Sequence, residues 1–388
     1  MKKLRIGVIG AGRMGGIRAR SAKRHPTCEV LGVADTDLTR AQSLAVDLGC
    51  TASADWAELI AREDIDAVVV ATPHKFLAPI SAAAVQAGKH VLCEKPGART
   101  SAEAETMLRV LYGSWPPAKF ENLLPARRAG VAQLVIGFTL RHHPAVVRAR
   151  ELLAGGEIGR PMYLVGRYGH GGRPGYEQEW RAMRDLAGGG ELLDQGVHLI
   201  DLSRWFLGEF EEVVGFVGTY FWRPKQAAGN NTLEDNAFLL LRSAAGNVAS
   251  LQASWTQWKN LFVFEVYGEN GFLQVQGLSG NYGREQLKIG YRNLHGGPPE
   301  TKEIDLWAGG TAEPESDVWA VEWQAFVSAV SGSNPLANHA PIIKPASAID
   351  AWQALRIVEA AYEASRTGTG IPLRQQSVEV SNPYLTTA

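Results

Sequence analysis

The chain has 388 residues, 45% of them hydrophobic and 20% charged, with a formal net charge of −1. This is the balance of a water-soluble globular protein with room for about two domains, and it favours neither a nucleic-acid nor an anionic-membrane partner. Cys28, Cys50 and Cys93 lie far apart with no CxxC pair, which argues against a disulfide framework or a zinc site and fits a reducing compartment, the cytoplasm.

Two lysines precede the apolar start of "MKKLRIGVIGAG". The apolar run is broken by Gly7 and Gly10 and is shorter than the roughly 7–15 residues of a signal core, so it is expected to be a strand. "AGRMGGIRARSAKR" follows as a helix opened by glycines, and "EVLGVAD" as a strand ending at Asp35. "LTRAQSLAVDLG" is helical with Gly49 as its stop. "DAVVVATP" is continuously apolar, as in a strand covered on both faces. "PISAAAVQAGKHVLCEKP" gives a helix, a stop at Gly88 and a further strand. This alternation predicts a doubly wound parallel sheet.

Beyond Pro96 the pattern changes. A helix opened by Ser101 leads into the proline-rich stretch 112–125, expected to be a surface loop, and then to the strand "AQLVIGF" and the helix "LRHHPAVVRARELL". "PMYLVGRY", "VVGFVGTYFW", "NAFLLLR", "NVASLQASW", "LFVFEVYG" and "FLQVQG" are strand-like runs separated by turns. Helices are expected near Val318–Val330 and at 346–366, the latter capped by Ser347 with Asp350 three residues on. The expected fold is α/β plus α+β. An N-terminal Rossmann domain with a parallel sheet spans 1–140, and a C-terminal α+β domain on a mostly antiparallel open sheet spans 141–388. The late helix is expected to reach back across the domain junction.

Within the first part, Gly10, Gly12 and Gly15 stand in G-x-G-x-x-G spacing directly after a strand and at the opening of a helix. In that context Gly10 permits a tight turn, Gly12 lets the backbone approach a pyrophosphate, and Gly15 lets helix and strand pack closely. The helix N-terminus, with Arg13 and Met14, offers N–H groups to phosphate. Asp35 can accept from ribose hydroxyls and would repel a 2′-phosphate, which favours NAD over NADP. Arg40 could stack near the adenine, or simply be an exposed helix arginine. Two later loops also leave the carboxyl ends of strands, where ligands of open α/β sheets collect. They carry Thr72, Pro73 and His74 in one and Glu94 and Lys95 in the other.

A third stretch, "GGGELLDQGVHLIDLSRWF", places Asp194, His198 and Asp201 on one helical face and Leu192, Leu199, Leu202 and Phe206 on another. The three glycines are expected to let the backbone approach another body, such as a nicotinamide ring or the Lys95 loop. An imidazole between carboxylates is oriented by them and tuned toward neutrality, which suits removal of a hydroxyl proton at pH 7. A satisfied polar helix face is the plainer reading. A metal shared by Asp and His lacks a third ligand group, and none is expected.

Together "GVIGAGRMG", "VVVATP", "AGKHVLCEKP", "VGFTLRHHP" and "GGGELLDQGVHLID" resemble the Gfo/Idh/MocA oxidoreductases, the glucose–fructose oxidoreductase and inositol dehydrogenase family, over residues 4–370 and in family order. The resemblance implies that Lys95, Asp194 and His198 face the nicotinamide. It implies oxidation or reduction of a secondary alcohol on a sugar, sugar derivative or cyclitol, and a homodimer or homotetramer joined through the second sheet. The expected chemistry has His198 taking the hydroxyl proton, Asp194 orienting it and Lys95 stabilising the alkoxide while hydride passes to NAD. The chain departs from the family pattern at Thr139, where "GFN" is usual, and at Leu77, where a histidine is usual and His74 stands nearer.

Substrate contacts are expected from Arg141 and from "GRYGHGGRPGYEQEWR", with Tyr168, His170, Arg173, Trp180 and Arg181, alongside Asp194 and His198. Arginines beside aromatics suit a hydroxyl-rich ring, including a uronate or nucleotide sugar. Trp255 and Lys259 are further candidates. The same oxidation machinery would also serve an NAD-dependent glycosidase working through transient oxidation at C3. A non-catalytic NAD-binding regulator is the other alternative.

Overall fold

A computed structural model describes residues 3–116, 132–223, 233–306, 317–332 and 345–373. The chain divides into two compact units, residues 1–139 with 317–353 and residues 140–316 with 354–388. A boundary at 140 therefore leaves out a segment of the first unit that returns from far along the chain.

In the first unit, β1 (Leu4–Ile9), β2 (Cys28–Ala34), β3 (Thr51–Ser53), β4 (Ala67–Val70), β5 (His90–Glu94) and β6 (Leu134–Gly137) pair in parallel in the order β6-β5-β4-β1-β2-β3. Ala346–Ser347 adds an antiparallel edge beside β6. The connecting helices are α1 (Arg13–Arg24), α2 (Leu38–Leu48), α3 (Trp56–Ala61), α4 (His74–Gln86) and α5 (Ser101–Tyr112). Sequence chemistry sets their ends. Asp37 caps α2 by accepting from the amides of Thr39 and Arg40, and Gly49 closes it in the left-handed region at φ 72°. Every residue of β4 is buried, as a strand covered on both faces must be.

In the second unit, α6 (Pro144–Ala154) precedes β7 (Pro161–Gly169). The short helix α7 (Arg184–Ala187) and α8 (Val197–Leu207) follow, then β8 (Phe210–Gly218), β9 (Asn236–Ser243), β10 (Val248–Ser254), β11 (Leu261–Gly268), β12 (Gly271–Gln276), β13 (Gln286–Tyr291) and β14 (Glu300–Ile304). The sheet order is β14-β13-β12-β11-β7-β10-β9-β8, with Ile371–Pro372 beyond β8. Its pairings are antiparallel except that of β7 with β10, which is parallel. A parallel pair needs a long crossover, and here the crossover carries α8. Buried and exposed residues alternate along β9, so the sheet buries one face. Phe206 of α8 packs edge-on against Phe264 of β11, ring centroids 5.0 Å apart, and burial of such a side chain stabilises by about 1.5–3 kcal/mol. On the other face Val214, Phe216, Phe238 and Leu240 are exposed.

Two helices complete the chain. α9 (Val318–Ser331) belongs to the first unit, where Trp323 and Phe326 join Ile6, Val8, Val33 and Val69 in one buried cluster. α10 (Ala348–Thr367) begins in the first unit and ends in the second. Its start is a reciprocal capping box: the Ser347 amide donates to Asp350 Oδ2 at 2.8 Å, and the Asp350 amide donates to Ser347 Oγ at 3.4 Å. Of the proline-rich stretch, residues 117–125 lie outside the described residues. Trp115, just before them, is buried against Trp352 with ring centroids 5.0 Å apart.

Candidate active site

The first unit supplies a nucleotide cradle. The sheet order reverses at β1, so the turn after β1 lies beside the loop after β4, where open α/β sheets hold ligands. Gly10 takes φ +98°, and a Cβ there would stand 2.4 Å from the Ala71 carbonyl oxygen. A Cβ on Gly15 would stand 1.7 Å from the Gly10 oxygen, so only glycine brings α1 this close to the turn. A Cβ on Gly12 would meet no protein atom within 4 Å. The backbone there faces open space at the N-terminus of α1, whose first turn has no acidic residue and no side-chain cap. Uncapped N–H groups of this kind attract phosphate, and the residues present fit a dinucleotide. Arg13 is exposed and Met14 half-buried beside Gly12.

Asp35 braces this cradle: Oδ2 accepts from the Ala11 amide at 2.7 Å and Oδ1 from the Asp37 amide at 2.9 Å. Each oxygen keeps a lone pair for a ribose hydroxyl. Arg40 is exposed and its Nε lies 3.0 Å from Asp37 Oδ2. Thr72 Oγ1 is buried with no hydrogen-bond partner among the described residues, Pro73 stands at the N-cap of α4, and His74 is buried in its first turn. Leu77, where the resemblance suggested a histidine, is fully buried core.

Glu94, expected on the cofactor side, is buried and accepts from Arg18 Nε at 2.7 Å. Arg18 also pairs with Glu322 of α9, and Thr139 Oγ1 donates to Glu322 Oε2 at 2.8 Å. Burial opposes the Arg18 charge, but the two carboxylates hold its pKa above the ordinary value. Removing one partner of such a buried ion pair costs about 3–5 kcal/mol. The network ties down the strand end that carries Lys95, which is half-buried. It also gives Thr139, which stands where "GFN" is usual, a buried partner in Glu322. Neither Arg18 nor Glu322 stood out in the sequence, although a glutamate amid "VWAVEWQAF" is a polar residue in an apolar run.

In the second unit the glycine-rich stretch is not one continuous α-helix. Leu192–Gly196 forms a π-helical turn and α8 begins only at Val197. Such turns are rare and recur at functional sites. Asp194 and His198 are both buried, 7% exposed each. Asp194 Oδ2 accepts from Arg181 Nε at 3.2 Å. Burial works against the Arg181 charge, while Asp194 holds its pKa up. Asp201 belongs elsewhere: it takes Arg141 through two bonds of 2.7 and 2.5 Å, both side chains buried. The predicted stripe thus splits into two pairs. Arg141, expected to meet substrate, is engaged in a buried ion pair with Trp205 beneath its guanidinium.

The glycines do face a close neighbour, but not the expected one. A Cβ on Gly189 would lie 2.2 Å from the Tyr362 hydroxyl, and one on Gly190 would lie 2.0 Å from the Glu234 carbonyl oxygen. Glu234 and Tyr362, which close on this glycine turn, carried no signal in the sequence.

Tyr168 stands edge-on to His198, centroids 6.2 Å apart, and against Tyr282 at 5.4 Å. Gln195 Nε2 donates to the Tyr282 hydroxyl at 3.2 Å. Burial holds the phenols of Tyr168 and Tyr282 above their ordinary range, so both remain neutral donors at pH 7. His170 is pushed down, by burial first and then by Arg173 and Arg181, against a rise from Asp194. Its Nδ1 accepts from the Gly172 amide at 2.9 Å. Arg173 is exposed and pairs with Glu179 through two bonds of 2.7 Å. Trp180 lies under the Arg181 guanidinium at 4.5 Å. Trp255 is buried against Tyr176, and Lys259 is exposed. Among the described residues no group of three or more His, Cys, Asp or Glu could hold a metal ion.

Comparison with known proteins adds independent findings. Residues 4–112 match the model of the oxidoreductase family with NAD-binding Rossmann fold, and residues 146–274 that of the GFO/IDH/MocA C-terminal domain. The chain is 29% identical over 349 residues to levoglucosan dehydrogenase of Pseudarthrobacter phenanthrenivorans, covering 79% of this chain and 84% of that protein. It is 30% identical over 334 residues to 1,5-anhydro-D-fructose reductase of Ensifer adhaerens, covering 79% and 93%. Its fold is similar to that of a levoglucosan dehydrogenase in complex with NADH and L-sorbose, with a TM-score of 0.80, 25% identity, and 97% and 100% of the chains covered.

Proposed function

The chain belongs to the GFO/IDH/MocA family of NAD-binding oxidoreductases, and on that premise we propose that it oxidises or reduces a secondary alcohol of a sugar, a sugar derivative or a cyclitol. Its similarity to a levoglucosan dehydrogenase and an anhydrofructose reductase supports a pyranose-like ring. Bound NAD supplies the hydride acceptor. The observation that carries the reading is the burial of Asp194 on the π-helical turn and of His198 in the first turn of α8, with the Tyr168 ring edge-on to the imidazole. Of these side chains, an imidazole is the one whose ordinary pKa suits taking a hydroxyl proton near pH 7.

In this reading His198 takes the proton from the substrate O–H as the carbinol C–H departs as hydride, leaving a ketone. Asp194, backed by Arg181, orients the imidazole. Lys95 stabilises the developing alkoxide, the point at which a fixed positive charge lowers the barrier most. Asp35 receives the ribose hydroxyls and repels a 2′-phosphate, which favours NAD over NADP. Replacement of Lys95 by Met is expected to lower kcat by about a hundred- to a thousandfold while NADH still binds. Turnover read by NADH absorbance across sugars, cyclitols and sugar nucleotides, with NADH fluorescence titration alongside, tests this; unchanged turnover removes Lys95 from the mechanism.

The same reading makes the protein a cytoplasmic homodimer or homotetramer joined through the second sheet. Cys28, Cys50 and Cys93 are all free thiols. Phe216 opposite Phe238 and Val214 opposite Leu240 form an exposed apolar stripe across β8 and β9, suited to a second copy of the chain. Among the described residues no helix is long and apolar enough to cross a membrane.

A further inference from the structure

Glu234 lies just before β9, buried, and plays no part in the chemistry above. Its carboxylate Oε1 nevertheless accepts from three donors: the Gly190 amide at 3.0 Å, the Leu192 amide at 3.2 Å and the Tyr362 hydroxyl of α10 at 2.8 Å. Its main-chain oxygen accepts from the Glu191 amide at 2.9 Å. The entry to the π-helical turn is thereby fastened at Gly190, Glu191 and Leu192. The peptide chain carries the constraint further, because the Asp194 amide donates to the Gly190 carbonyl at 2.9 Å. Side chains at 189 or 190 would destroy the approach. This accounts for the glycine run without reference to any ligand.

We propose that Glu234, held by Tyr362, is a positioning residue for the reaction, setting through the Gly190 peptide the place of Asp194 and hence the aim of His198. This rests on the function proposed above. An oxygen that accepts three donors does so best as a carboxylate, since the ionised group offers the most lone-pair density. A neutral amide of the same shape should hold the turn more loosely. A loss of alignment of about 1 Å far from the reacting atoms can cost on the order of a hundredfold in rate.

The test compares Glu234→Gln, Tyr362→Phe and the double variant. Glu234→Gln is expected to lower kcat by about ten- to a hundredfold, with the KM for NAD within about twofold of the parent and the melting temperature within a few degrees. Tyr362→Phe should give a smaller loss in kcat. The double variant should be no worse than Glu234→Gln alone, because both act through one contact. A crystal structure of Glu234→Gln should show the Asp194 carboxylate displaced. Unchanged kcat, or a loss of activity that follows the melting temperature and disappears on cooling, overturns the proposal and leaves Glu234 a packing residue. If the parent protein oxidises no alcohol in the panel, the functional reading fails, and the crystal structure then decides the positioning role alone: an unmoved Asp194 overturns it.

Discussion

The glycine motif separates two roles that its spacing alone does not distinguish. Gly15 is demanded by packing, since a Cβ would overlap the Gly10 carbonyl, whereas Gly12 faces open space. Gly15→Ala is therefore expected to destabilise the fold by about 1–3 kcal/mol or more, seen as a lowered melting temperature. Gly12→Ala should leave stability intact and weaken NADH binding at least about tenfold, seen by fluorescence titration. Two histidines give a second prediction. His90 Nδ1 accepts from the Gln133 amide and His170 Nδ1 from the Gly172 amide, and burial lowers both pKa values. Below an unfolded value of about 6.5, the unfolded chain takes up protons that the folded one refuses. Their contribution to stability is thus present above that pH and is lost as pH falls through it toward the lower folded values. His170→Asn, which keeps an acceptor near Nδ1, should flatten the fall in urea midpoint between pH 7.5 and 5.5. Burial of Glu234 raises its pKa and acts in the opposite sense at lower pH, so variant and parent must be compared at each pH. A fall as steep in the variant as in the parent would exclude His170 as a source.

At the scale of elements, the strands were legible because the sheets impose simple patterns: a continuous apolar run at β4, alternation at β9. The cap of α10 was legible because Ser347 and Asp350 stand at the spacing their reciprocal bonds require. The interruption of the helix after Gly190 was not. Leu192–Gly196 carries the apolar pattern of an α-helix, and the Glu234 carboxylate that accepts from the Gly190 and Leu192 amides at its entry lies more than forty residues away in the chain. For the same reason Arg141 and Asp201 looked like site residues: a long-range ion pair leaves no local signature. Asp194 and His198 are candidates from their spacing on one helical face and Lys95 from its place at a strand end, and the family resemblance adds their expected roles. The side chains that brace them were found only in three dimensions.

At the scale of the molecule, the exposed stripe on β8 and β9 makes a direct prediction. Phe216, 63% exposed and opposite Phe238, should tolerate replacement by Glu in a monomer, where most of its surface meets water. In an assembly joined through this face, Phe216→Glu places a charge in an apolar contact and should shift the mass by light scattering toward the monomer. An unchanged mass for an oligomeric parent would move the interface elsewhere. The two-domain character followed from the change of pattern after Pro96, but the return of 317–353 to the first unit did not, since a helix that closes a distant sheet resembles any other apolar helix in sequence.

That return has a consequence for how the protein is made. Trp323 and Phe326 complete a core whose other members include Ile6, Val8 and Val33, which are synthesised far earlier. The nucleotide-binding unit thus waits through synthesis of residues 140–316 with part of its apolar surface bare. The two units are therefore interleaved along the chain, and neither can close its core from one uninterrupted stretch of sequence.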